Sequence, residues 1–252
     1  MPVAVITGAS RGLGRALAAE LAGRGWRLVL DGRDGAALRS AAAGLERTAA
    51  ESAGGGHEGG GHEGGGGSTA VVRAVPGDVT DPAHRAALVA AARELGGVDL
   101  LVNNASALGA EPLVPLAELP VAGLRAALEV NVTAPLALVQ AALPELRAAG
   151  GSVLNVSSDA AVEAYPGWGG YGASKAALDH LSAVLAVEEP GLRVWWVDPG
   201  DLRTALYAAA VPDDPDFAAR PLPEEVAPVL LRPLDEGAAS GRYTASGLAG
   251  GR

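Results

Sequence analysis

A tyrosine and a lysine, Tyr171 and Lys175, stand four residues apart in the chain. On a helix this spacing places two side chains on one face, about one turn apart. An ammonium group so close stabilises a phenolate and lowers the pKa of the tyrosine from about 10 towards neutrality. The pair can therefore serve as a general acid and base. Lys175 is the single lysine among 19 basic residues, which argues against an incidental pair of a surface tyrosine and a solvated lysine.

Three glycines follow the first apolar run, Val3–Ile6, in a TGxxxGxG spacing. Gly8 allows a tight turn, Gly12 lacks the Cβ that would keep phosphates away, and Gly14 lets the next helix pack on the strand. Backbone N–H groups at the start of that helix would bind a pyrophosphate, so the motif predicts a dinucleotide site rather than an ordinary turn. The predicted contacts are Gly8, Ser10, Arg11, Gly12, Leu13 and Gly14.

The glycine spacing resembles that of the short-chain dehydrogenase/reductase family, whose common form is about one Rossmann domain. Residues 103–105 match the family's NNAG element, with Ser106 in place of its final glycine, and residues 198–204 resemble its PGxxxT turn. The similarity runs from residue 3 to about residue 204. It implies further cofactor contacts at Asp78, Val79, Asn104, Ala105, Pro199, Gly200, Leu202 and Thr204, together with Tyr171 and Lys175.

The resemblance also implies two partners for the Tyr171–Lys175 pair. Ser158 lies thirteen residues before Tyr171, which is the family's spacing and selects it over Ser157. Its hydroxyl would polarise a substrate carbonyl. Asn131 matches the family's fourth catalytic position and would support a proton relay, although taken alone it suggests a packing or kink residue of a helix. The implied catalytic set is Asn131, Ser158, Tyr171 and Lys175.

These residues together predict an oxidoreductase that moves hydride between a nicotinamide cofactor and a carbonyl or secondary alcohol of a small molecule. An alternative is a catalytically silent, nucleotide-sensing regulator of the same fold, which would typically lack the tyrosine or the lysine. An enoyl reductase of the same superfamily would space this pair further apart. The presence of all four residues, at this spacing, favours the dehydrogenase.

The residues after the second strand bear on the choice of cofactor. A carboxylate at this strand end accepts both ribose hydroxyls of NAD(H) and repels a 2′-phosphate. Gly32 is assigned to the deciding position and Arg33 follows it, so that Arg33 and Arg11 could converge on a phosphate. We therefore expect NADP(H). The alternative is NAD(H), with Asp31 as the ribose ligand if the strand register differs by one residue.

Short apolar runs alternate with longer amphipathic ones, which is typical of βαβ units. The predicted strands are Pro2–Ile6, Arg27–Asp31, Thr69–Val75, Val98–Asn103, Gly151–Val156, Leu192–Val197 and, weakly, Arg242–Ala245. The predicted helices cover residues 12–24, 34–52, 81–96, 120–148 and 171–189, with Pro135 kinking or dividing the fourth. We expect a single α/β domain over 1–252, a doubly wound parallel sheet of about seven strands flanked by helices.

Three regions outside these motifs have weaker signals. Residues 53–68 are mostly glycine and predict a flexible insert, whose two His-Glu pairs have no fixed geometry for a metal. Residues 201–222 resemble a mobile lid over the substrate, with Trp168 and Tyr207 as candidates for its pocket. His84 and His180 are expected at the surface or its boundary, since no partner motif accompanies them.

The composition excludes several functional classes. A net charge of −10 with four Trp, four Tyr and one Phe argues against nucleic acid and anionic membranes as partners. The absence of cysteine excludes disulfides and thiolate chemistry. No uncharged run is judged long enough to span a bilayer, and no signal peptide precedes the first strand, so we expect a cytoplasmic protein. Apolar helices at 120–148 and 171–189 predict a homodimer or homotetramer.

Overall fold

The computed structural model describes residues 1–54 and 71–250. Its centre is one sheet of seven parallel strands in the order β3-β2-β1-β4-β5-β6-β7. The strands are β1 (Val3–Ile6), β2 (Arg27–Gly32), β3 (Val72–Pro76), β4 (Leu100–Asn103), β5 (Ser152–Val156), β6 (Arg193–Asp198) and β7 (Gly241–Thr244). The predicted doubly wound Rossmann sheet is therefore confirmed, including the weakly predicted last strand.

Ten α-helices accompany the sheet in the described part of the chain. They are α1 (Gly12–Gly23), α2 (Gly35–Gly54), α3 (Pro82–Leu95), α4 (Val121–Leu128), α5 (Ala134–Ala149), α6 (Gly169–Glu188), α7 (Ala205–Ala210), α8 (Pro223–Leu230), α9 (Arg232–Asp235) and α10 (Ala245–Gly250). All predicted helices are present. The four that follow residue 204 were not predicted, because they are short and two of them begin at or next to a proline.

The fourth predicted helix is divided where Pro135 suggested. A π-helical turn, Glu129–Thr133, separates α4 from α5, and Pro135 lies in the first turn of α5. Proline fits there because the first N–H groups of a helix have no partner within it. The π turn places Asn131 in the interior, where none of it is exposed.

Two apolar layers cover the two faces of the sheet. Leu17, Leu21 and Leu30 belong to one layer, and Leu88, Leu101 and Leu138 belong to the other. Helices therefore shield both faces, as a parallel sheet requires. The stretch Val121–Ala149 is long and apolar enough to cross a membrane by length and composition, contrary to the sequence-based expectation. Leu138, Val139, Ala142 and Leu146 of this stretch nevertheless pack in the apolar layer on one face of the sheet.

The strand order reverses at β1, which has β2 on one side and β4 on the other. At such a switch point the connections leave in opposite directions, and a crevice opens at the carboxyl ends of the strands. The turns after β1, β2, β4, β5 and β6 all meet at this crevice. Most of the glycine-rich insert predicted at 53–68, with both His-Glu pairs, lies outside the described residues.

Candidate active site

The glycine-rich turn connects β1 to α1 at the crevice. Gly8 and Gly12 have φ angles of 65° and 56°, which favour glycine. A Cβ on Gly14 would lie 2.5 Å from the Gly8 carbonyl oxygen, so this glycine allows the close packing that its position predicted. No side chain caps the N-terminus of α1, and its first turn has no acidic residue. These open N–H groups fit an anionic diphosphate.

Thr7, which the sequence reasoning missed, fixes this turn to the end of β4. Its Oγ1 accepts hydrogen bonds from the backbone N–H groups of Asn104 (2.9 Å) and Ala105 (3.0 Å). The Asn104 side chain donates to the Thr7 carbonyl oxygen at 2.8 Å. Asn104 and Ala105 therefore lie beside the turn as predicted, and the Asn104 amide braces it. Thr7 is the first letter of the TGxxxGxG motif, which could have identified it.

The turn after β6 faces the glycine-rich turn across the crevice. Gly200 has a φ angle of 71°, and its N–H donates to the Asp198 side chain at 2.9 Å. The Thr204 hydroxyl caps α7 by accepting from the Tyr207 N–H at 3.2 Å. A Cβ on Gly12 would come within 3.7 Å of the Thr204 methyl group, so the two turns are neighbours. Pro199 and the buried Leu202 lie in the same turn.

Tyr171 and Lys175 lie on α6, one turn apart, with 7% and 1% of their surfaces exposed. Lys175 Nζ lies 5.6 Å from the centroid of the Tyr171 ring and donates to the Val156 carbonyl oxygen at 2.7 Å. Ser158 begins a 3-10 turn, Asp159–Ala161, at the end of β5. Its hydroxyl accepts from the Ala160 N–H and donates to the Asp159 carboxylate at 3.0 Å. The Lys175 and Ser158 side chains thus both lie near Tyr171.

The electrostatics of Tyr171 differ from the expectation. Burial raises the pKa of its hydroxyl to about 12, and the nearby Ser106 and Ser158 hydroxyls offset only part of this effect. Burial likewise lowers the pKa of Lys175 to about 8, against the attraction of Asp179. Desolvation disfavours the charged form of each group and is the largest cause of both pKa shifts. At neutral pH, Tyr171 therefore holds its proton.

Asn131 connects the loop after β4 to α6. Its Oδ1 accepts from the Ala107 N–H, and its Nδ2 donates to the Ala107 carbonyl oxygen and to Ser174 Oγ, each at 2.8 Å. Ser174 Oγ in turn donates to the Tyr171 carbonyl oxygen at 2.6 Å. Both amide hydrogens of Asn131 are therefore used within the protein. The side chain positions the helix that holds the tyrosine.

Two further residues that the sequence reasoning missed support the catalytic end. Asp179, one turn after Lys175, accepts a short hydrogen bond from Ser157 Oγ and a 3.1 Å bond from Arg242 Nε. Arg242, on β7, also donates to the Ser158 carbonyl oxygen at 3.0 Å. Ser157 is thus committed to Asp179, which agrees with the choice of Ser158 as the residue that faces Tyr171. The four-residue spacing from Lys175 was the available signal for Asp179.

His84 was expected at the surface or its boundary, and this is wrong in one respect: the ring is buried and hydrogen-bonded. Its Nε2 lies 2.6 Å from Asp31 Oδ1. The other oxygen, Asp31 Oδ2, accepts the Gly8 N–H at 3.0 Å. Burial raises the pKa of Asp31, and the hydrogen bond to His84 lowers it in part. His180, by contrast, is exposed on α6 as expected.

The remaining cofactor candidates lie at the ends of β2 and β3. Gly32 packs against Ser10, since a Cβ on it would be 3.2 Å from Ser10 Cβ. Arg11 and Arg33 are exposed, and neither guanidinium forms a hydrogen bond or ion pair within residues 1–54 and 71–250. Asp78 accepts the Thr80 N–H at 2.9 Å, and this bond with the charge of Arg33 lowers its pKa. Val79 is buried.

Aromatic side chains border the catalytic tyrosine and the predicted lid. Trp168 contacts Tyr171 edge to face, with ring centroids 5.6 Å apart. Tyr207 stacks on Phe217 at 6.3 Å, and Arg220 lies 5.4 Å above the Tyr207 ring. Residues 201–222 contain α7 and a 3-10 turn, Phe217–Ala219. Their action as a lid stays a prediction.

Comparison with known proteins gives this site a context. The chain is 36% identical over 239 residues to cis-4-hydroxycyclohexanecarboxylate dehydrogenase of Sinomonas cyclohexanicum, covering 90% of this chain and 87% of that protein. It is 40% identical over 133 residues to an uncharacterized oxidoreductase of Saccharomyces cerevisiae, a match that spans about half of each chain (52% and 52%).

Among solved structures, an alcohol dehydrogenase from the archaeon Thermococcus sibiricus, complexed with 5-hydroxy-NADP, superposes with a TM-score of 0.80 at 27% identity. The superposition covers 97% of this chain and 95% of that one. The family described as short chain dehydrogenase matches residues 2–54 and 64–215. These matches extend across both ends of the crevice, and the chain belongs to the short-chain dehydrogenase family.

Proposed function

We propose that the protein is an NADP(H)-dependent oxidoreductase acting on a carbonyl or secondary alcohol of a small molecule. One observation carries the proposal: Tyr171 and Lys175 are both buried, and the Lys175 ammonium lies 5.6 Å from the tyrosine ring. A buried lysine beside a protonated tyrosine has little structural value, because burial penalises its charge. It is well suited to stabilise the phenolate that forms when Tyr171 gives up its proton.

In the reducing direction, the Ser158 hydroxyl donates a hydrogen bond to the substrate oxygen, on which negative charge develops. To do so, it exchanges its present acceptor, the Asp159 carboxylate, for the substrate. Tyr171 then transfers its proton to that oxygen, and Lys175 stabilises the resulting phenolate. The nicotinamide, when bound, supplies the hydride. The relay that the resemblance implies at Asn131 would return the proton, and its test is the loss of rate in Asn131→Ala with fold and cofactor affinity retained.

The cofactor would lie along the crevice from the glycine-rich turn to Tyr171. The open N–H groups at the start of α1 suit its diphosphate. Arg11 and Arg33, exposed at the ends of two neighbouring connections, suit a 2′-phosphate, since guanidinium groups bind phosphate in a bidentate manner. The complex of the similar archaeal alcohol dehydrogenase with 5-hydroxy-NADP points the same way.

The protein would act in the cytoplasm as a homodimer or homotetramer. Val184 and Val187 on α6 are 38% and 81% exposed, and Leu136 on α5 is 41% exposed. Exposed apolar side chains on neighbouring helices favour a self-complementary interface. Light scattering at micromolar concentration measures the assembly, and a stable monomer would contradict it. No observation favours the catalytically silent regulator.

The activity is tested with a panel of ketones, aldehydes and secondary alcohols. The carbonyl compounds are each assayed with NADPH and NADH, the alcohols with NADP and NAD, and the reaction is followed by the absorbance of the nicotinamide. We expect turnover with NADP(H). Lys175→Arg is the matched variant: it keeps the charge but replaces a compact ammonium with a planar fork, and should be inactive. Turnover in that variant equal to the parent, or none in the parent with any substrate class, would contradict the proposal.

A further inference from the structure

The end of β2 contains two carboxylates, and the protein uses both. Asp34 Oδ1 accepts the N–H groups of Ala36 and Ala37, each at 3.0 Å, and so caps α2. Asp31 is 2% exposed. One of its oxygens binds the Gly8 N–H and the other binds His84, so neither faces solvent as a free acceptor. The Asp31 carboxylate is therefore unavailable to a ribose in this arrangement.

His84 reaches Asp31 from helix α3, a different element of the fold. It projects from the first turn of α3, after β3, and its ring lies over Gly77. A Cβ on Gly77 would overlap the imidazole ring, so the glycine provides the space that the ring occupies. The 2.6 Å contact joins residues that are 53 positions apart in the sequence, and it holds the Asp31 side chain towards the interior.

We propose that His84 is a positioning residue for cofactor specificity: it holds Asp31 away from the ribose site, so that the chain accepts a 2′-phosphorylated cofactor. This inference rests on the proposed NADP(H) dependence. Without His84, Asp31 could rotate towards the ribose, accept its hydroxyls and repel the 2′-phosphate.

The charges around the pair agree with this role. Burial raises the pKa of Asp31, and repulsion by the Asp78 carboxylate adds to this effect. The charge of Arg33 adds to the effect of the Thr80 hydrogen bond in lowering the pKa of Asp78. Arg33 is not part of the buried pair of His84 and Asp31. With Asp31 turned inward, Arg11 and Arg33 are exposed next to the strand end, together with the carboxylates of Asp34, which caps α2, and Asp78, which accepts from Thr80. The histidine can donate to Asp31 in its neutral or its protonated form, so the device needs only the hydrogen bond.

The test measures the dissociation constants of NADPH and NADH by fluorescence titration of the whole protein without substrate. His84→Leu fills the ring volume but removes the donor. We expect the ratio of the two Kd values to shift towards NADH by about tenfold, the size of one charge interaction near a protein surface. The control His180→Leu, on an exposed histidine, should leave the ratio unchanged.

A double-mutant cycle shows whether the effect passes through Asp31. In an Asp31→Asn background, His84→Leu should change the ratio by less than about twofold. A folded His84→Leu protein with the parent ratio would overturn the inference and leave the proposed function intact.

Asp31→Asn alone decides the matter if His84→Leu fails to fold. An unchanged ratio supports the inference, whereas selective loss of NADH affinity would show that Asp31 binds the ribose and would overturn it. A parent protein that binds neither cofactor would instead contradict the proposed function itself.

Discussion

The two ends of the crevice are built by different means. At the nucleotide end, the candidate contacts are backbone N–H groups, glycines and the exposed Arg11 and Arg33. At the catalytic end, they are buried side chains, and Lys175 and Asp179 take part in hydrogen bonds that join α6 to β5 and β7. Single side-chain substitutions should therefore weaken cofactor binding by modest steps at the nucleotide end and remove nearly all turnover at the catalytic end.

The largest effect is expected at the catalytic end. Tyr171→Phe removes the transferable proton and little volume, so turnover should fall by about 10²–10⁴-fold while cofactor affinity is kept. Steady-state rates and cofactor titration measure both quantities. Tyr165→Phe is the control, because Tyr165 is 43% exposed and bonds Asp159 on the surface side. A Tyr171→Phe protein that retains more than a tenth of the rate would contradict the assignment.

At the nucleotide end, the close packing of the backbone is the feature that a substitution should disturb most. Gly14→Ala would place a Cβ 2.5 Å from the Gly8 carbonyl oxygen, and overpacking of this kind costs about 1–3 kcal/mol. We expect a lower Tm and weaker binding of both cofactors. Gly23→Ala, at the other end of α1, has no atom within 4 Å of the added Cβ and should leave both unchanged. Equal effects of the two substitutions would refute this account.

Smaller, additive effects are expected from the exposed arginines. Arg11→Ala and Arg33→Ala each remove one exposed charge that forms no hydrogen bond or ion pair in the described residues, so each should weaken NADPH binding by about tenfold and NADH binding much less. Titration of both cofactors at two salt concentrations measures the effect, which should shrink at high salt. Equal weakening for NADH would show that neither arginine contacts the 2′-phosphate.

The smallest expected effect concerns pH. Lys175 has a pKa of about 8 in the folded protein, below its ordinary value, so its charge is present below that pH and is lost as the pH rises through it. Tyr171 stays protonated throughout, because its pKa is about 12. The reduction rate should therefore fall by about twofold between pH 7 and pH 8. A rate that rises over this interval would mean that a neutral lysine suffices.

The features that the sequence predicted are those encoded by local spacing. The four-residue Tyr171–Lys175 interval and the glycine-rich turn each lie within one element or one connection, so the residue types alone indicate their geometry. The strand and helix positions were predicted from the alternation of short apolar runs with longer amphipathic ones. The short helices after residue 204 lack such a period and were missed.

The features that the sequence could not predict depend on strand order and burial. His84 and Asp31 are 53 residues apart, and Arg242 and Asp179 are 63 apart, so each contact exists only once the sheet is assembled. The direction of the Tyr171 pKa shift was wrong because the sequence indicates the neighbouring charge but not the depth of burial. Desolvation then proved the larger effect.

The burial of the only lysine has a practical consequence for handling the molecule. Lys175 is 1% exposed, so an amine-reactive acylating reagent should modify it only slowly in the folded protein. The rate at which Lys175 is acylated would then report how often the interior of the catalytic end opens to solvent, and so would measure local unfolding there.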